Sequence, residues 1–183
     1  MKPPPRRRKS FGKQDLLAAA LLLAAPVMAQ QYASDELSDW REDTIPPPPA
    51  YTTRPGQLID IDMPPISSVK MGIDPATITV NPATGIVRYV VVARGTSAVN
   101  AAYEGIRCST AEYRVYARRT EDNPWSPSTE TEWKPMRGQS GVIVTHPYQL
   151  AKGGLCFGTA VRHNVDDMVR ELRSGNQSLY LGR

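Results

Sequence analysis

Six side chains in the second half of the sequence carry its most suggestive chemistry: Tyr103, Arg107, Tyr116, Arg118, Trp125 and Trp133. Aromatic rings interleaved with guanidinium groups could bind a peptide or a glycan strand by stacking and cation–π contact, and one sheet face could present all six. The competing use is structural. Tyr and Trp often bury their rings and leave only the polar tip wet. On that reading, which is the preferred one, the rings form a minor core under helices near the C-terminus.

Other reactive types are present without the spacing their chemistry needs. Asp60 and Asp62 alternate along one strand and could offer oxygen ligands to a hard cation. Calcium wants six to eight oxygens, so solvated charge is the simpler reading and no metal is expected. Ser126, Ser128 and Ser140, with His146 or His163, could be drawn as a hydrolase set, but no Gly-x-Ser-x-Gly elbow accompanies them. No Gly-rich phosphate loop and no dinucleotide fingerprint appear, so no cofactor is expected. Cys108 and Cys156 are the only cysteines. Redox pairs usually sit two residues apart, and metal sites gather more ligands than this. In an exported chain, an even pair at long separation reads as a disulfide.

Export follows from the distribution of charge. The chain carries 22 Lys and Arg against 18 Asp and Glu. Lys2, Arg6, Arg7, Arg8, Lys9 and Lys13 face a single acid, Asp15, in the first 29 residues, and the rest of the chain is close to neutral. A basic face that could neutralise phosphates is therefore not expected on the folded part, which argues against nucleic-acid binding. The basic start, the apolar run from Leu16 to Ala25, Pro26 and then Val27-Met28-Ala29 form a secretory signal peptide. The apolar run is too short for a transmembrane helix, which needs about 20 residues. Arg8-Lys9-Ser10-Phe11-Gly12-Lys13 partly resembles a twin-arginine signal, so the export route stays open. Position 30 is Gln, not the Cys of a lipoprotein anchor. The mature protein is expected to be periplasmic, with no membrane span and no lipid.

The elements that would position these residues are mostly strands. Residues 30–57 are Pro-rich, with a run from Pro46 to Pro49 that favours an open, extended backbone. They form a leader expected to wrap over the domain, anchored by Trp40. From Leu58 the apolar residues alternate, giving a strand that ends at Pro64-Pro65. Lys70 to Ile73 and Thr77 to Val80 are two short strands on either side of Asp74-Pro75. Ile86 to Arg94 is apolar on nearly both faces, which places it mid-sheet. Asn100 to Cys108 and Glu112 to Arg118 form a hairpin. Its second strand puts Arg114, Tyr116 and Arg118 on one face and Tyr113, Val115 and Ala117 on the other. Trp133-Lys134-Pro135 is an edge strand. Pro147 opens a helix that Gly153-Gly154 stops, and Asn164 caps a second, Val165 to Arg173.

Leu58-Ile59-Asp60-Ile61-Asp62, Ile73-Asp74-Pro75-Ala76-Thr77-Ile78-Thr79-Val80, Gly85-Ile86-Val87-Arg88-Tyr89, Tyr103-Glu104-Gly105-Ile106-Arg107-Cys108, Trp125 and Glu132-Trp133 stand in this order. The set, over about residues 38–173, resembles the cryptic neisserial protein family. There is a looser similarity to surface adhesin E domains, with their aspartate-proline strand start and two cysteines. The resemblance implies an envelope protein of Proteobacteria with a small antiparallel sheet and a disulfide. It brings no catalytic residues and no established activity. The expectation is an α+β fold: a small antiparallel sheet, one or two short C-terminal helices and one disulfide. Residues 1–29 form the signal, 30–57 the leader, 58–173 the globular domain and 174–183 a flexible tail. The expected function is that of a noncatalytic binding or structural module with an envelope protein or glycan as partner. A periplasmic hydrolase is the alternative.

Signal cleavage gives a direct test. N-terminal sequencing of protein recovered from its host is expected to read Gln30-Gln31-Tyr32. A purified protein that retains Leu16 to Ala25 would overturn the export reading.

Overall fold

The computed structural model describes residue 42 and residues 44–64, 67–121, 123–137 and 145–175. The signal segment, Trp40, Ser140 and residues 176–183 lie outside them. All the elements belong to a compact unit that begins at Pro46.

The most apolar run in the mature sequence sets the architecture. Strand β3 (Ile86–Arg94) is buried at every position from Ile86 to Val92, because sheet neighbours flank it and both its faces are covered. Antiparallel partners lie on either side, β2 (Lys70–Asn81) and β4 (Val99–Arg107). Strand β1 (Ile59–Ile61) pairs with β2, and β5 (Glu112–Thr120) pairs with β4. Two short strands share the outer edge of β5: β6 (Ser126–Pro127) and β7 (Lys134–Pro135). Among the described residues this is a seven-stranded antiparallel sheet. The edge strands both contain Pro, which cannot extend a ladder further.

Two irregularities depart from simple alternation. Asp74-Pro75 does not divide two strands; β2 runs through it with a shift of register between Asp74 and Thr79. Pro75 has no N–H to give, and side chains supply the missing bonds. Asp74 Oδ1 accepts from Ala76 N at 3.0 Å. Thr77 Oγ1 donates to Asp74 O at 2.7 Å and accepts from Val90 N at 2.8 Å. The second irregularity lies in β5. Tyr103 stands opposite Ala117 and Glu104 opposite Val115, so Tyr116 is an extra residue. Tyr116 and Ala117 therefore pack on the same side of the sheet, and the alternation beyond them is inverted. Arg118 ends opposite Ala102, on the other face from Tyr116, contrary to the strict two-residue period.

Each face has its own core and cover. On the first, Tyr89, Val91 and Ile106 meet Leu150, Leu155, Met168 and Leu172 from the C-terminal helices. On the second, Val90, Val92, Tyr103 and Tyr116 meet Tyr51, Leu58 and Trp125. The expected minor core is thus real but misplaced in the sequence reading. The rings lie on the face away from the helices, under the Pro-rich segment, which closes with a 3-10 turn at Pro55–Gln57.

Helix α1 (Thr145–Leu150) widens into a π turn, Ala151–Leu155, in which Gly154 leaves helical geometry (φ 159°, ψ −16°) and Cys156 is extended, so the helix stops at the glycines as the sequence suggests. Gly154 also serves close approach. A Cβ on Gly154 would lie 2.9 Å from Glu171 Cβ and 3.0 Å from Met168 O of helix α2 (Val165–Arg173). Helix α2 starts at Asn164, whose Oδ1 accepts from the backbone N–H groups of Asp166 and Asp167. Between the helices, β8 (Cys156–Phe157) and β9 (Ala160–Val161) form a small hairpin. Cys108 and Cys156 are bonded, with Cα atoms 5.7 Å apart and a separation of 48 positions in sequence. Closing a loop of that length removes about 4 kcal/mol of chain entropy from the unfolded state on the loop-entropy model. The fold is β-rich, with an antiparallel sheet, two short α-helices and one disulfide.

Gly154→Ala is expected to cost about 1–3 kcal/mol, since the new methyl meets backbone of α2 and not a movable side-chain tip. Urea unfolding measures it, and an unchanged midpoint would mean that α2 is free to shift.

Candidate functional site

The aromatic and arginine face is occupied by the chain's own leader. Trp125 Nε1 donates to Pro49 O at 2.9 Å. Arg119 Nη1 donates to Tyr51 O at 2.6 Å, and its guanidinium lies 6.0 Å from the Tyr51 ring and 5.6 Å from the Trp125 ring. Arg54 pairs with the buried Asp74 carboxylate at 3.1 Å. An extended Pro-rich backbone keeps its carbonyls unpaired, and here they accept from an indole and a guanidinium. Below the strap, Tyr103 and Tyr116 are 4% and 9% exposed, with ring centroids 5.3 Å apart. Tyr116 lies over Gly105, where a Cβ would come within 2.7 Å of the phenol oxygen. Trp133 meets Tyr116 edge-on at 6.4 Å, and Arg107 sits 5.5 Å from the Trp133 ring. Five of the six residues singled out in the sequence therefore gather on one face. Arg118 does not join them, because of the Tyr116 bulge.

Arg118 lines a groove on the helix-covered face with Ser126, His146 and Glu104, about 540 Å³ in volume. Glu104 is 1% exposed. Tyr89 OH donates to its Oε2 at 3.2 Å, and His146 Nε2 lies 2.9 Å from the same oxygen. That contact needs a proton on Nε2 when Glu104 is ionised. No hydrogen bond joins Ser126 to His146 among the described residues. Ser128 instead closes a turn with Glu130, and His163 is exposed. Asp60 is paired with Arg94 at 2.7 Å. Among the described residues, no group of three or more His, Cys, Asp and Glu is placed to hold a metal ion, and no helix is long and apolar enough to cross a membrane.

A second cavity, not anticipated from sequence, opens beside the disulfide. It measures about 320 Å³ and is lined by Cys108, Cys156, Ala111, Met136, Ala151 and the Phe157 ring, with Tyr148, Lys152 and Arg162 also on its wall. Phe157 is 69% exposed, at the hairpin that Gly158 turns with φ 60°. Arg162 covers that ring at 5.4 Å. Lys152 and Arg137 lie 5.3 and 4.8 Å from the Tyr148 ring. Burial opposes ionisation of the Tyr148 phenol, but hydrogen bonds from Arg137 and Lys152 outweigh it and hold the group below its ordinary value. These residues are scattered through residues 108–162, and no short motif unites them. The one signal available in sequence was the pair of cationic residues, Lys152 and Arg162, flanking Cys156-Phe157.

The geometry can be set beside known families. The model of the CNP1-like family matches residues 35–173. The chain belongs to the CNP1-like family. Among the described residues, the matched segment takes in every strand and both α-helices, and with them the strap, the groove and the disulfide pocket. No curated protein and no solved structure matches the chain.

Three phenols are held neutral. Burial raises Tyr51 to about 12, reinforced by the Asp74 carboxylate. Burial, then the neighbouring Glu104, raises Tyr89 well above 10.0. Burial also raises Tyr113. In the unfolded chain all three ionise near pH 10, so stability is complete below that pH and is lost as pH rises toward the folded values. The fully buried Tyr89 costs about 1.4 kcal/mol per pH unit in that window, and the half-buried Tyr51 and Tyr113 cost less because solvent screens them. Urea midpoints are therefore expected to fall steeply above pH 10, and Tyr89→Phe to show a shallower fall from a slightly lower start. Equal slopes would mean that Tyr89 ionises in the folded protein.

Proposed function

We propose that this chain is an exported cell-envelope protein that binds a ligand or partner without transforming it, and that its ligand site is the pocket beside the disulfide. The observation that carries the reading is the Cys108–Cys156 bond. Such a bond persists in an oxidising compartment, in agreement with the signal peptide read in the sequence. Both sulfur-bearing residues also line the pocket, so the crosslink helps hold its shape. The pocket lies at the low end of the usual range for small-molecule sites and has the usual apolar wall with few polar groups. The aromatic face, by contrast, spends its indole and Arg119 on the leader, so an external peptide or glycan would have to displace that strap. The hydrolase alternative has one point in its favour, the groove shared by Ser126, His146 and Glu104.

The purified protein is expected to come from the periplasmic fraction with no free thiol and to bind a neutral solvatochromic dye. Phe157→Ser should weaken the dye roughly fivefold to tenfold, the loss of about 1 kcal/mol of aromatic contact. A dye bound equally by both proteins would sink the pocket reading, and free thiols in cytosolic protein would sink the export reading.

A further inference from the structure

The pocket beside the disulfide is apolar inside and cationic at its mouth. Its wall offers Met136, Ala151, Ala111 and the Phe157 ring, and the charged groups in its lining are Lys152 and Arg162, both positive. Arg137 adds a third cation through its stacking and hydrogen bond with Tyr148. No acidic residue lines the cavity. Arg162 stacks over the Phe157 ring at 5.4 Å, and both residues line the cavity.

We propose that this pocket takes a single-chain anionic amphiphile, a medium-chain fatty carboxylate, with its chain against Met136 and Phe157 and its carboxylate at Lys152 and Arg162. The inference rests on the pocket being a ligand site and adds the chemical class of the ligand. Volume selects one chain: about 320 Å³ is at the lower limit for a small-molecule site and leaves no room for the second chain of a bilayer lipid. Charge selects the head group, since two cations and no acid favour an anion. Hydrogen-bond type separates it from a peptide. The charged side chains of the lining are donors only, and the Tyr148 hydroxyl already accepts from Arg137. A peptide would bring amide N–H groups that need acceptors, whereas a fatty carboxylate brings acceptors alone. Each methylene moved out of water adds about 0.8 kcal/mol, so chain burial supplies affinity and the cations supply selectivity.

Calorimetry on the purified full chain, at pH 8, low salt and below micellar concentrations, tests the assignment with dodecanoate, dodecanol, dodecyltrimethylammonium and a short apolar peptide with a free C-terminus. Dodecanoate is expected to bind at least tenfold more tightly than dodecanol, and the ammonium compound and the peptide more weakly still. In the Lys152→Glu/Arg162→Glu variant, dodecanoate should fall to the level of the alcohol or below, while the alcohol is unchanged. Arg162→Gln provides a milder variant if the double reversal does not fold, with the same selectivity expected to narrow. Equal affinities for the carboxylate, alcohol and ammonium compounds would overturn the anionic class and leave the pocket as an apolar site. A peptide that binds more tightly than dodecanoate would overturn it in favour of a protein partner. No binding by any chain compound would remove both this inference and the pocket as a ligand site.

Discussion

A strand that is apolar on both faces has to be covered twice, and β3 imposes that requirement on everything else in the fold. Seven consecutive residues from Ile86 to Val92 are buried. Neighbouring strands satisfy the backbone but leave two side-chain layers to be kept from water. The C-terminal helices cover one layer. Among the described residues no second helical pair covers the other, and the Pro-rich leader does that work with Tyr51 and Leu58, joined by Trp125. An extended strap buries less apolar surface than a helix would. Its attachment is accordingly polar and specific: an indole to a proline carbonyl, a guanidinium to a tyrosine carbonyl, and Arg54 to a fully buried Asp74.

The same double cover explains the split between the aromatic face and the pocket. The aromatics stack with arginines beneath the strap, where Arg88 and Arg119 are themselves buried and lay their guanidinium groups over the rings of Tyr116, Tyr51 and Trp125. The pocket arises on the helical side, where a π turn, a hairpin and a crosslink meet and cannot pack as regularly as two helices would. Irregular junctions of this kind are where side chains of different origin converge on one cavity. The CNP1-like family match spans both features.

Elements with strong local signals were legible in the sequence. The β3 strand, the β4–β5 hairpin and the Asn164-capped helix follow from apolar period, turn residues and a cap, and each lies where those signals put it. Two features were not legible, for different reasons. The Tyr116 bulge is a single extra residue in a run whose two faces are both partly apolar, so alternation could not show where the phase slips, and Arg118 was assigned to the wrong face. The stop at the glycines was legible, since Gly ends many helices, but that Gly154 also admits the backbone of α2 was not, because it is a tertiary demand invisible to local propensity. The pocket lacked a sequence signature because its lining comes from a strand end, an edge segment, a helix and a hairpin.

The strap also sets an order of assembly. Sheet pairings from β2 to β5 join neighbours in sequence and can form as successive hairpins. The strap contacts instead span 76 positions from Pro49 to Trp125 and 68 from Tyr51 to Arg119. A chain emerging N-terminus first exposes the proline segment long before its docking strand exists. That segment must wait, and its low hydrophobicity and lack of amide donors keep it from pairing wrongly in the interval. Docking last also makes it the natural first piece to detach, so local opening of the folded protein begins at the strap and uncovers Tyr103 and Tyr116 without unzipping the ladder beneath them.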